Sequence, residues 1–509
     1  MKKIFILSFL AITALSCNKL VEKDNSRPNI IYFLADDLGY GEVGVYGQQK
    51  IETPNIDLLA QNGMLFTQHY TGAPVCAPAR YMLLTGKHAG HSYIRGNDEW
   101  SERGDVWNYK KVYTDPTLEG QRPIPSSTIT LGSVLQDVGY KTSVFGKWGL
   151  GAPNTEGIPN LQGFDYFYGY NCQRQAHNLC PSHLWENTDK VLLDNDLVSP
   201  HTKLDSLADP YKESSYQKYN QKMYAPAVIH QKALEYIKEN KEHPFFMYYA
   251  SPLPHVPLQA PKKYTDKYRK IFGEEEPYLG DKGYFPARHP KATYAAMITY
   301  MDHQLGELIA SLKEEGIYEN TLIIFSSDNG PTYTGGVDFN FFESSKPFTN
   351  GYGRTKGFMY EGGIRIPMIA RWPNKIKSGT TNKHISAFYD VLPTVCDIVG
   401  VDAPKDIDGI SFKQALLGKE QKPHDYLYWE FPSYNGQQAV RMGKWKGIRK
   451  DIFKGNLTLE LYNLDVDIEE QNNISKQHPD IVKKIEEIML KEHQPAENIK
   501  FRIKQLGDK

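Results

Sequence analysis

The sequence has almost no net charge. Its 59 basic and 60 acidic side chains leave a formal charge of -1, so the overall charge does not indicate a nucleic-acid partner or an acidic membrane surface. The 509 residues also contain no low-complexity tract and no internal repeat. Any site for an anion must therefore be built from a local group of cationic side chains.

Long apolar runs are missing too, except at the start of the chain. Two lysines precede the apolar stretch 4–15, which is followed by Ser16 and Cys17. This order is typical of a secretory signal, and the stretch is too short for a permanent membrane span. The ending Ala-Leu-Ser-Cys resembles a bacterial lipobox, which implies a signal peptide over residues 1–17 and a lipid on Cys17. A plain signal peptide with an incidental cysteine is the alternative.

The residues after this stretch complete the prediction of where the protein resides. Residues 18–27 are polar and predict a tether, and no later segment is long and apolar enough to predict a transmembrane helix. We expect an exported protein, held by its lipid alone in the periplasm or on the outer-membrane surface of a Gram-negative bacterium. No nucleic-acid partner is expected.

Cysteine is scarce, with five in the chain. Cys396 lies in an apolar helical pattern and is predicted to be buried and inert. Cys172 and Cys180 lie eight positions apart in one loop, and the sequence leaves open whether they form a disulfide in an oxidising compartment. Cys76 is the cysteine with a chemical context around it.

Hydrophobic patterns predict the fold class. Five nearly continuous apolar runs indicate strands buried on both faces, as in a parallel sheet. These runs are 29–35, 142–146, 245–250, 321–326 and 367–371. Helical patterns alternate with them at 55–62, 130–138, 226–239 and 294–313. This order predicts the α/β class, with a large, mostly parallel or mixed sheet sandwiched by helices.

The length predicts more than one core, and the pattern changes near residue 400. Short strand-like pieces then follow one another, and a helical pattern covers 480–493. The pieces are 426–431, 438–443, 445–450 and 458–464. We expect a larger N-terminal domain over 28–400 and a smaller C-terminal α+β subdomain with an antiparallel sheet over 401–509.

Polar residues follow four of the predicted strands directly or closely. They are Asp36 and Asp37, Lys147, His255, and Asp328 with Asn329. The carboxyl ends of parallel strands share one edge of a sheet, which is where sites form in α/β folds. The sequence therefore predicts one polar site assembled from four separate strand ends.

The segment Cys76-Ala-Pro-Ala-Arg80, followed by Thr85-Gly86, is the most specific motif. Pro78 suits the first turn of a helix, which would place Cys76 at the helix N-terminus, where free N–H groups favour negative charge. Arg80 would lie over the same face. A nucleophile beside an arginine favours an anionic ester as ligand; a buried cysteine near a surface arginine is the alternative.

This motif resembles the signature of the type I, formylglycine-dependent sulfatases of the alkaline phosphatase superfamily. The resemblance covers nearly the whole mature chain and extends to gut-bacterial lipoprotein sulfatases that act on galactose-type glycans. It implies that a maturation enzyme oxidises Cys76 to formylglycine. One hydroxyl of the hydrated aldehyde then attacks sulfur and displaces the alcohol, and the second hydroxyl expels sulfate.

The resemblance also implies one calcium ion and a set of catalytic residues. Three carboxylates and an amide oxygen suit Ca²⁺, with Mg²⁺ less favoured, and the ion would activate the nucleophile. The implied ligands are Asp36, Asp37, Asp328, Asn329 and the oxygen of residue 76. The implied catalytic residues are Arg80, two sulfate-binding lysines, Lys147 and Lys356, and His255 as general acid to the leaving alcohol. Many relatives carry a histidine where this chain has Gly149, so position 149 is given no role.

The loop 169–187 is predicted to line the substrate pocket, because it is rich in Arg, His, Asn and Trp. His177 and His183 are the candidate sugar contacts, with Arg95 and Asn97 behind them, and loop scaffolding is the alternative. The predicted substrate is a sulfated carbohydrate, cleaved by exo action at galactose or N-acetylgalactosamine of host or algal glycans. The alternatives are an arylsulfatase, a phosphonate or phosphate ester hydrolase, and a non-catalytic glycan-binding lipoprotein.

Overall fold

The structure is a computed structural model that describes residues 27–509. The predicted signal peptide, Cys17 and all of the predicted tether except Arg27 lie outside the described residues. Within the described part, no helix is long and apolar enough to cross a membrane.

Eleven strands in this part of the chain form one large sheet. They are β1 (Asn29–Ala35), β2 (Met64–Tyr70), β3 (Lys141–Lys147), β4 (Tyr166–Tyr170), β5 (His183–Glu186), β6 (Asp189–Leu192), β7 (Phe245–Ala250), β8 (Thr321–Ser327), β9 (Arg365–Arg371), β10 (Thr380–Asn382) and β11 (Ser386–Ala387). Their order across the sheet is β10-β2-β9-β8-β1-β7-β3-β4-β5-β6, and β11 also pairs with β2. The predicted strands are confirmed, and the central one is β1.

Strand direction agrees with the prediction at the centre of the sheet and differs beside it. Strands β8, β1, β7, β3 and β4 run parallel, but β9 runs antiparallel to β8. The parallel direction expected for 367–371 is therefore wrong. Only two four-residue helices, α8 (Phe339–Phe342) and α9 (Glu361–Ile364), separate β8 from β9. Since no long crossover helix carries the chain back to the other edge, β9 returns antiparallel. A continuous apolar pattern reports burial, not direction.

The other α-helices are distributed over both domains. They are α1 (Pro54–Gln61), α2 (Cys76–Thr85), α3 (Tyr109–Thr114), α4 (Leu131–Asp137), α5 (Ala225–Asn240), α6 (Lys262–Phe272), α7 (Pro290–Glu314), α10 (Val391–Val399), α11 (Lys413–Leu416) and α12 (Pro479–Glu492). The helices predicted in the larger domain correspond to α1, α4, α5 and α7. The α/β sandwich is confirmed.

Two separate cores lie on the two faces of the large sheet, and β1 contributes to both. Ile31 and Phe33 pack with α5 and α7 on one face. Tyr32 and Leu34 pack with α2 and α10 on the other. Successive strand residues point to opposite faces, so the unbroken apolar run of β1 follows from burial on both sides. Helices on both faces leave the strand ends as the place where polar groups collect.

The C-terminal region forms a second, antiparallel sheet, as predicted. Its strands are β12 (Leu427–Phe431), β13 (Gln437–Met442), β14 (Trp445–Lys450) and β15 (Glu460–Asn463). One face packs against α12. The other face packs against the larger domain, where Trp429 joins Val75 and Met359 in one apolar cluster. The domain boundary at residue 400 stays a prediction, and the second sheet contacts segments that flank Cys76 and Lys356.

Candidate active site

The carboxyl ends of the parallel strands meet at one edge of the large sheet. Ala35, the last residue of β1, is paired with Ser327, the last residue of β8. Asp36 therefore begins the segment after β1 beside Asp328 after β8, and both side chains are fully buried. Lys147 ends β3, which lies on the other side of β1 across β7. The strand-end rule thus brings these residues together as expected.

Cys76 is the first residue of α2 and is buried. The preceding Val75 offers no side-chain cap, and the N–H of Ala77 instead donates to Oδ1 of Asn97 at 3.2 Å. Asn97 therefore takes over the capping role and fixes the start of the helix. Burial, followed by the charge of Asp36, raises the pKa of the Cys76 thiol far above its ordinary value. As a cysteine, residue 76 stays a protonated and poor nucleophile.

Three cations pair with three carboxylates around Cys76. The guanidinium of Arg80 donates to Oδ2 of Asp328 at 2.9 Å and lies 3.5 Å from Oδ2 of Asp36. Nζ of Lys147 lies 2.5 Å from Oδ2 of Asp36. Burial alone would raise the pKa of Asp36, but the cations, with Lys147 the strongest, hold it well below its ordinary value. Burial and the charge of Asp36 raise the pKa of Asp328.

Lys356 and His255 complete the cluster from two loops. Nζ of Lys356 lies 2.6 Å from Oδ1 of Asp37 and 3.7 Å from Sγ of Cys76. Nε2 of His255 lies 3.6 Å from Oδ2 of Asp37, and its Nδ1 lies 2.6 Å from the carbonyl oxygen of Val256. A carbonyl only accepts, so Nδ1 carries a proton and Nε2 faces the cluster. All five predicted catalytic side chains therefore surround one point.

The oxygen donors of this cluster fit a hard divalent cation. Oδ1 of Asn329 is buried and has no hydrogen-bond partner, while its Nδ2 donates to Asp37 at 2.8 Å. Ligand atoms of Asp36, Asp37, Cys76 and His255 all lie within 4.8 Å of one another. Asp37 has a φ of 68°, a strained value of the kind found at functional sites. Such a cation would bind the buried acceptor that lacks a donor, and it would offset the repulsion between the carboxylates.

Asp328 differs from the other predicted ligands in its partners. Its Oδ1 accepts from the N–H of Asp37 at 3.0 Å and its Oδ2 accepts from Arg80. It lies outside the group of ligand atoms that come within 4.8 Å. The contacts give Asp328 a clear part in orienting Arg80, and its part as a metal ligand stays a prediction.

His177 belongs to a chain of rings next to His255. The two rings are stacked, with centroids 5.3 Å apart and planes 9° apart. The backbone N–H of Tyr284 donates to Nδ1 of His201 at 2.8 Å, and Nε2 of His201 lies 3.1 Å from Nδ1 of His177. Because Nδ1 of His201 accepts, its Nε2–H donates to His177, whose own Nε2 then carries a proton. His177 thus offers a fixed donor beside the cluster.

Sequence reasoning missed His201 and Tyr284. Both residues lie far from the motifs along the chain, and both have positive φ angles, 66° and 63°. Nothing in the local pattern of either residue points to the site. Only the folding of two distant loops over His177 reveals them.

The structure does not bring His183 and Arg95 into the cluster. His183 is buried, and its Nε2 lies 3.2 Å from Oε2 of the buried Glu119. Arg95 is also buried and donates to Glu430 of β12 at 2.9 Å. Structural partners account for both, in line with the scaffolding alternative. Among the four predicted sugar contacts, only His177 and the exposed Asn97 lie beside the cluster.

A side chain at position 149 would be strained and would press on a neighbouring amide. Gly149 has a φ of 75°, and a Cβ built there would lie 3.0 Å from Oε1 of Gln173. That Oε1 is buried and has no hydrogen-bond partner. The amide of Gln173 thus occupies the space beside position 149.

The same loop carries Cys172 and Cys180, which are buried free thiols. The loop is therefore held without a disulfide.

Comparisons with known families decide the class of this protein. The profile described as "Sulfatase" matches residues 28–401. The chain belongs to the sulfatase family. The profile "N-sulphoglucosamine sulphohydrolase, C-terminal" matches residues 352–495, which include the second sheet. The resemblance read from the motifs is confirmed, as is the expectation of a sulfuric ester hydrolase.

Curated relatives and a solved structure match this sulfatase over most of its length. It is 28% identical to the N-acetylgalactosamine-6-O-sulfatase of Bacteroides thetaiotaomicron, over 93% of this chain and 95% of that one. It is 29% identical to human arylsulfatase A, over 82% of this chain and 74% of that one. The crystal structure of Ps i-CgsB superposes with a TM-score of 0.71 at 26% identity, covering 92% and 94% of the two chains.

Proposed function

We propose that this sulfatase hydrolyses sulfate monoesters of carbohydrates, using formylglycine made from Cys76 and one calcium ion. The observation that carries the proposal is the convergence of three cations, three carboxylates and a buried amide oxygen without a partner on the first residue of α2. A neutral thiol with a raised pKa is unsuited to attack, which supports modification of residue 76 by a maturation enzyme.

Two groups that the chain does not supply by itself complete this chemistry. Formylglycine supplies a hydrated aldehyde as nucleophile, and Ca²⁺ supplies Lewis-acid polarisation of the sulfate oxygens. Asp36, Asp37 and Asn329, with Asp328 behind them, would hold the ion through oxygen atoms. The partnerless Oδ1 of Asn329 supports this set.

The cationic side chains of the site bind and orient the anionic ester. Lys147 and Lys356 bring two ammonium groups to the cluster around Cys76, and the N-terminal N–H groups of α2 add partial positive charge. Arg80 is held by its charge-assisted bonds to Asp328 and by its bond to the carbonyl oxygen of Lys147 at 2.7 Å. Such fixed cations favour a sulfate group over a neutral ester.

His255 is oriented to serve the leaving alcohol. Its Nδ1–H is engaged with the carbonyl of Val256, so Nε2 can donate a proton only from the imidazolium form. We propose that this proton goes to the oxygen that links sulfur to the sugar, because sugar alkoxides are poor leaving groups. Burial lowers the pKa of His255 to about 4, and the negative charge of a bound ester would favour the imidazolium form.

The proposed substrate is a terminal sulfated galactose or N-acetylgalactosamine. Two relatives carry the name N-acetylgalactosamine-6-sulfatase or N-acetylgalactosamine-6-O-sulfatase, from dog and Bacteroides thetaiotaomicron, and Ps i-CgsB was solved with k-i-k-neocarrahexaose. The Nε2–H of His177 would donate to a sugar oxygen next to the reacting ester. The similarity to human arylsulfatase A keeps an aryl sulfate as the second candidate.

We also propose that the protein is exported and lipid-anchored at Cys17. The proposal rests on the sequence of residues 1–17 alone. A Cys17→Ala variant would be released from the membrane fraction of the producing cells, and retention of that variant would contradict the anchor.

The experiment that tests the proposed function is sulfate release from a panel of sulfated galactose, N-acetylgalactosamine and glucosamine sugars, with a small aryl sulfate beside them. The protein is co-produced with a formylglycine-generating enzyme, and peptide mass confirms the modification. Cys76→Ala is the inactive control, and Cys396→Ala is the matched control, because Cys396 is a buried free thiol in α10. Release from a sugar by the wild type and Cys396→Ala alone supports the proposal. With formylglycine confirmed, silence on every sugar of the panel and on sulfated oligosaccharides that end in those sugars contradicts it.

A further inference from the structure

We propose that a shelf of aromatic rings beside Lys356 binds an uncharged sugar unit of the substrate, linked to the sulfated unit. The shelf consists of Tyr333, Tyr352, Phe358 and Tyr434, and is called the aromatic shelf below. The inference rests on the proposed function in one respect, namely that the substrate is a carbohydrate. It adds that the substrate is an oligosaccharide, bound through more than its sulfated residue.

The four rings form one continuous cluster. The ring of Tyr352 meets Tyr333 at 5.1 Å and Phe358 at 5.4 Å, both edge-on. Phe358 in turn meets Tyr434 at 5.2 Å. The hydroxyl of Tyr333 lies 3.4 Å from that of Tyr434. Edge-to-face packing leaves some ring faces available to a ligand, whereas a single buried ring has no face available.

Much of this cluster lies in solvent. Tyr352 is 71% exposed and Tyr434 is 44% exposed, while Tyr333 and Phe358 are half-buried behind them. Isolated exposed aromatics are common, but a contiguous exposed patch usually marks a binding site. Rings with an apolar face and a phenolic hydroxyl match a pyranose, which has an apolar C–H face and hydroxyls at its edge.

The shelf begins one residue away from the proposed catalytic group. A Cβ on Gly357 would lie 3.0 Å from the Tyr434 ring, so this ring packs directly on the backbone next to Lys356. The N–H of Gly357 donates to the carbonyl of Pro74 at 2.9 Å, two residues before Cys76. Nζ of Lys356 in turn lies 3.7 Å from Sγ of Cys76. A sugar on the shelf is therefore a neighbour of one whose sulfate lies at Cys76.

The loop that presents Tyr434 has an unusual backbone. Tyr434, Asn435 and Gly436 have φ angles of 50°, 67° and 76° in succession between β12 and β13. Glycine and asparagine are typical at such positions, whereas a tyrosine is strained there. Gln437, at the start of β13, ties this loop to the site by donating to the carbonyl of Gly357 at 2.8 Å. The second sheet thus holds a strained tyrosine over the Lys356 loop, as expected if its side chain serves binding.

The charges near the shelf indicate an uncharged occupant. The guanidinium of Arg354 lies over the ring of Tyr360 at 3.8 Å and donates to the carbonyl of Glu470. Lys356 is turned toward Asp37 and Cys76. Both nearby cations are therefore engaged elsewhere, and the rings and phenols remain for recognition. A second sulfate would find no free cation on the shelf, so a neutral unit fits it best.

Turnover of a short and a longer substrate tests the shelf. The short one is the sulfated monosaccharide that responds in the panel, and the longer one is a trisaccharide that carries this sugar at its end. We expect Tyr352→Ala and Tyr434→Ala to lower kcat/KM on the trisaccharide roughly fivefold to tenfold. On the monosaccharide Tyr352→Ala should change it by less than about twofold. Equal losses on both substrates with Tyr352→Ala, or no loss on either, would overturn the proposal.

Two design features separate a binding effect from a folding effect. Tyr211→Ala is the matched control, because Tyr211 is a tyrosine of comparable exposure, 53%, that bonds to Glu276 outside the shelf. Tyr434 packs on the Lys356 loop, so its loss can disturb catalysis directly. Tyr352→Ala is therefore the decisive variant, since its ring is the most exposed of the four and packs on the shelf rings of Tyr333 and Phe358.

A binding measurement distinguishes failure of the shelf from failure of the proposed function. Saturation-transfer NMR is recorded with an unsulfated galactose tetrasaccharide on the Cys76→Ala protein, with and without Tyr352→Ala. Binding that disappears with Tyr352→Ala supports the shelf even where no sulfated sugar is hydrolysed, and the proposed function then fails alone. No binding at millimolar tetrasaccharide, or binding unaffected by Tyr352→Ala, overturns the shelf whatever the activity shows.

Discussion

Two buried clusters of charged side chains lie in this sulfatase, and they differ in what they leave unpaired. The first surrounds Cys76 at the edge of the large sheet. The second, called the junction cluster below, lies between the two sheets and consists of Glu361, Arg365, Lys446 and Glu470. Both contain carboxylates and cations that water does not reach. Burial of charge alone therefore does not identify an active site.

In the junction cluster every carboxylate is satisfied by the protein. Oε1 of Glu361 lies 2.8 Å from Nζ of Lys446, and its Oε2 accepts from Arg365 at 3.1 Å and from the hydroxyl of Tyr70 at 2.7 Å. Oε2 of Glu470 accepts from the N–H of Glu361 at 2.7 Å. Pairing of the carboxylates is what a structural network requires, although Nη1 of Arg441, 3.6 Å from Oε2 of Glu361, has no hydrogen-bond partner.

The cluster around Cys76 is incomplete in a way that points to a ligand. Asn329 keeps a buried acceptor without a donor, and Asp37 holds a left-handed backbone. Burial, followed by the charge of Asp36, raises the pKa of Asp328. Glu470 of the junction cluster also has a positive φ, 53°. The comparison therefore teaches that a buried acceptor without a donor, rather than buried charge or a left-handed backbone, distinguishes the site from the scaffold.

The largest effect is expected from a substitution that breaks the junction cluster. Lys446→Met leaves Glu361 and Glu470 buried without their shared cation, which should lower the free energy of unfolding by about 3 to 5 kcal/mol. Turnover per folded molecule should not change. Chemical denaturation measures the first quantity, and Lys444→Met, an exposed lysine of the same hairpin, is the control. Unchanged stability with lost turnover would reverse the roles given to the two clusters.

The matching change in the active site should act on chemistry instead. Asp37→Asn removes one charge from the group around Cys76 and should lower kcat roughly a hundredfold to a thousandfold. The stability of the metal-free protein should change little, because two opposing effects are removed together. The substitution removes the repulsion between Asp37 and the other carboxylates, and it also removes the ion pair of Asp37 with Lys356. Kinetics on the responding sugar and calorimetry report the two effects. A large loss of stability with normal kcat would place Asp37 in the scaffold.

Calcium should distinguish the two clusters as well. Added Ca²⁺ should stabilise the stripped wild-type protein by about 2.7 kcal/mol at a concentration one hundred times its Kd, because only the folded state holds the ligands. Lys446→Met should keep this response and Asp37→Asn should lose most of it. Thermal unfolding after EDTA treatment measures it. Indifference of the stripped wild type to Ca²⁺ would count against the metal site.

The chain of rings next to the cluster predicts a smaller effect. His201→Phe keeps an aromatic ring beside Tyr284 and removes the donor to His177, so the tautomer of His177 is no longer fixed. We expect kcat/KM on the sulfated sugar to fall roughly fivefold to tenfold, with little change on a small aryl sulfate. His303→Phe, an exposed histidine of α7, is the control. Equal losses on both substrates would remove His177 from the sugar site.

A further expected effect concerns the pH dependence of the junction cluster. Burial raises the pKa of Glu470 to about 7, with Lys446 opposing and Glu361 adding to the rise. The folded state then keeps a proton that the unfolded state has released above its ordinary pKa of about 4.3. The wild-type protein should therefore lose stability relative to Glu470→Gln as pH rises from 5 to 7.5. Denaturation of both proteins at several pH values tests this, and parallel curves would contradict the raised pKa.

Local patterns in the sequence were enough to predict the helices and strands and the position of the cluster around Cys76. The apolar runs predicted the strands, and Pro78 with Cys76 predicted the start of α2, because burial and helix termini leave local signals. The rule of the strand ends then placed Asp36, Lys147 and Asp328 together. The roles of these residues in catalysis and metal binding stay predictions.

Contacts between distant segments were not predictable in this way. Arg95 and His183 looked like pocket residues, yet Glu430 and Glu119 hold them as structure. The direction of β9 depended on the absence of a crossover helix, which an apolar pattern does not record. Each of these outcomes depends on a partner that is remote along the chain.

The sequence by itself determined the class of fold, the family and the residues gathered around Cys76, since these follow from periodicity, motifs and strand ends. Only the tertiary structure decided that Asn97 caps α2, that His201 orients His177, and that Tyr434 of the second sheet covers Gly357. Each of these pairs joins segments that approach only when two sheets and their loops pack together. Local propensity contains no information about such approaches, whereas packing of the folded chain fixes them.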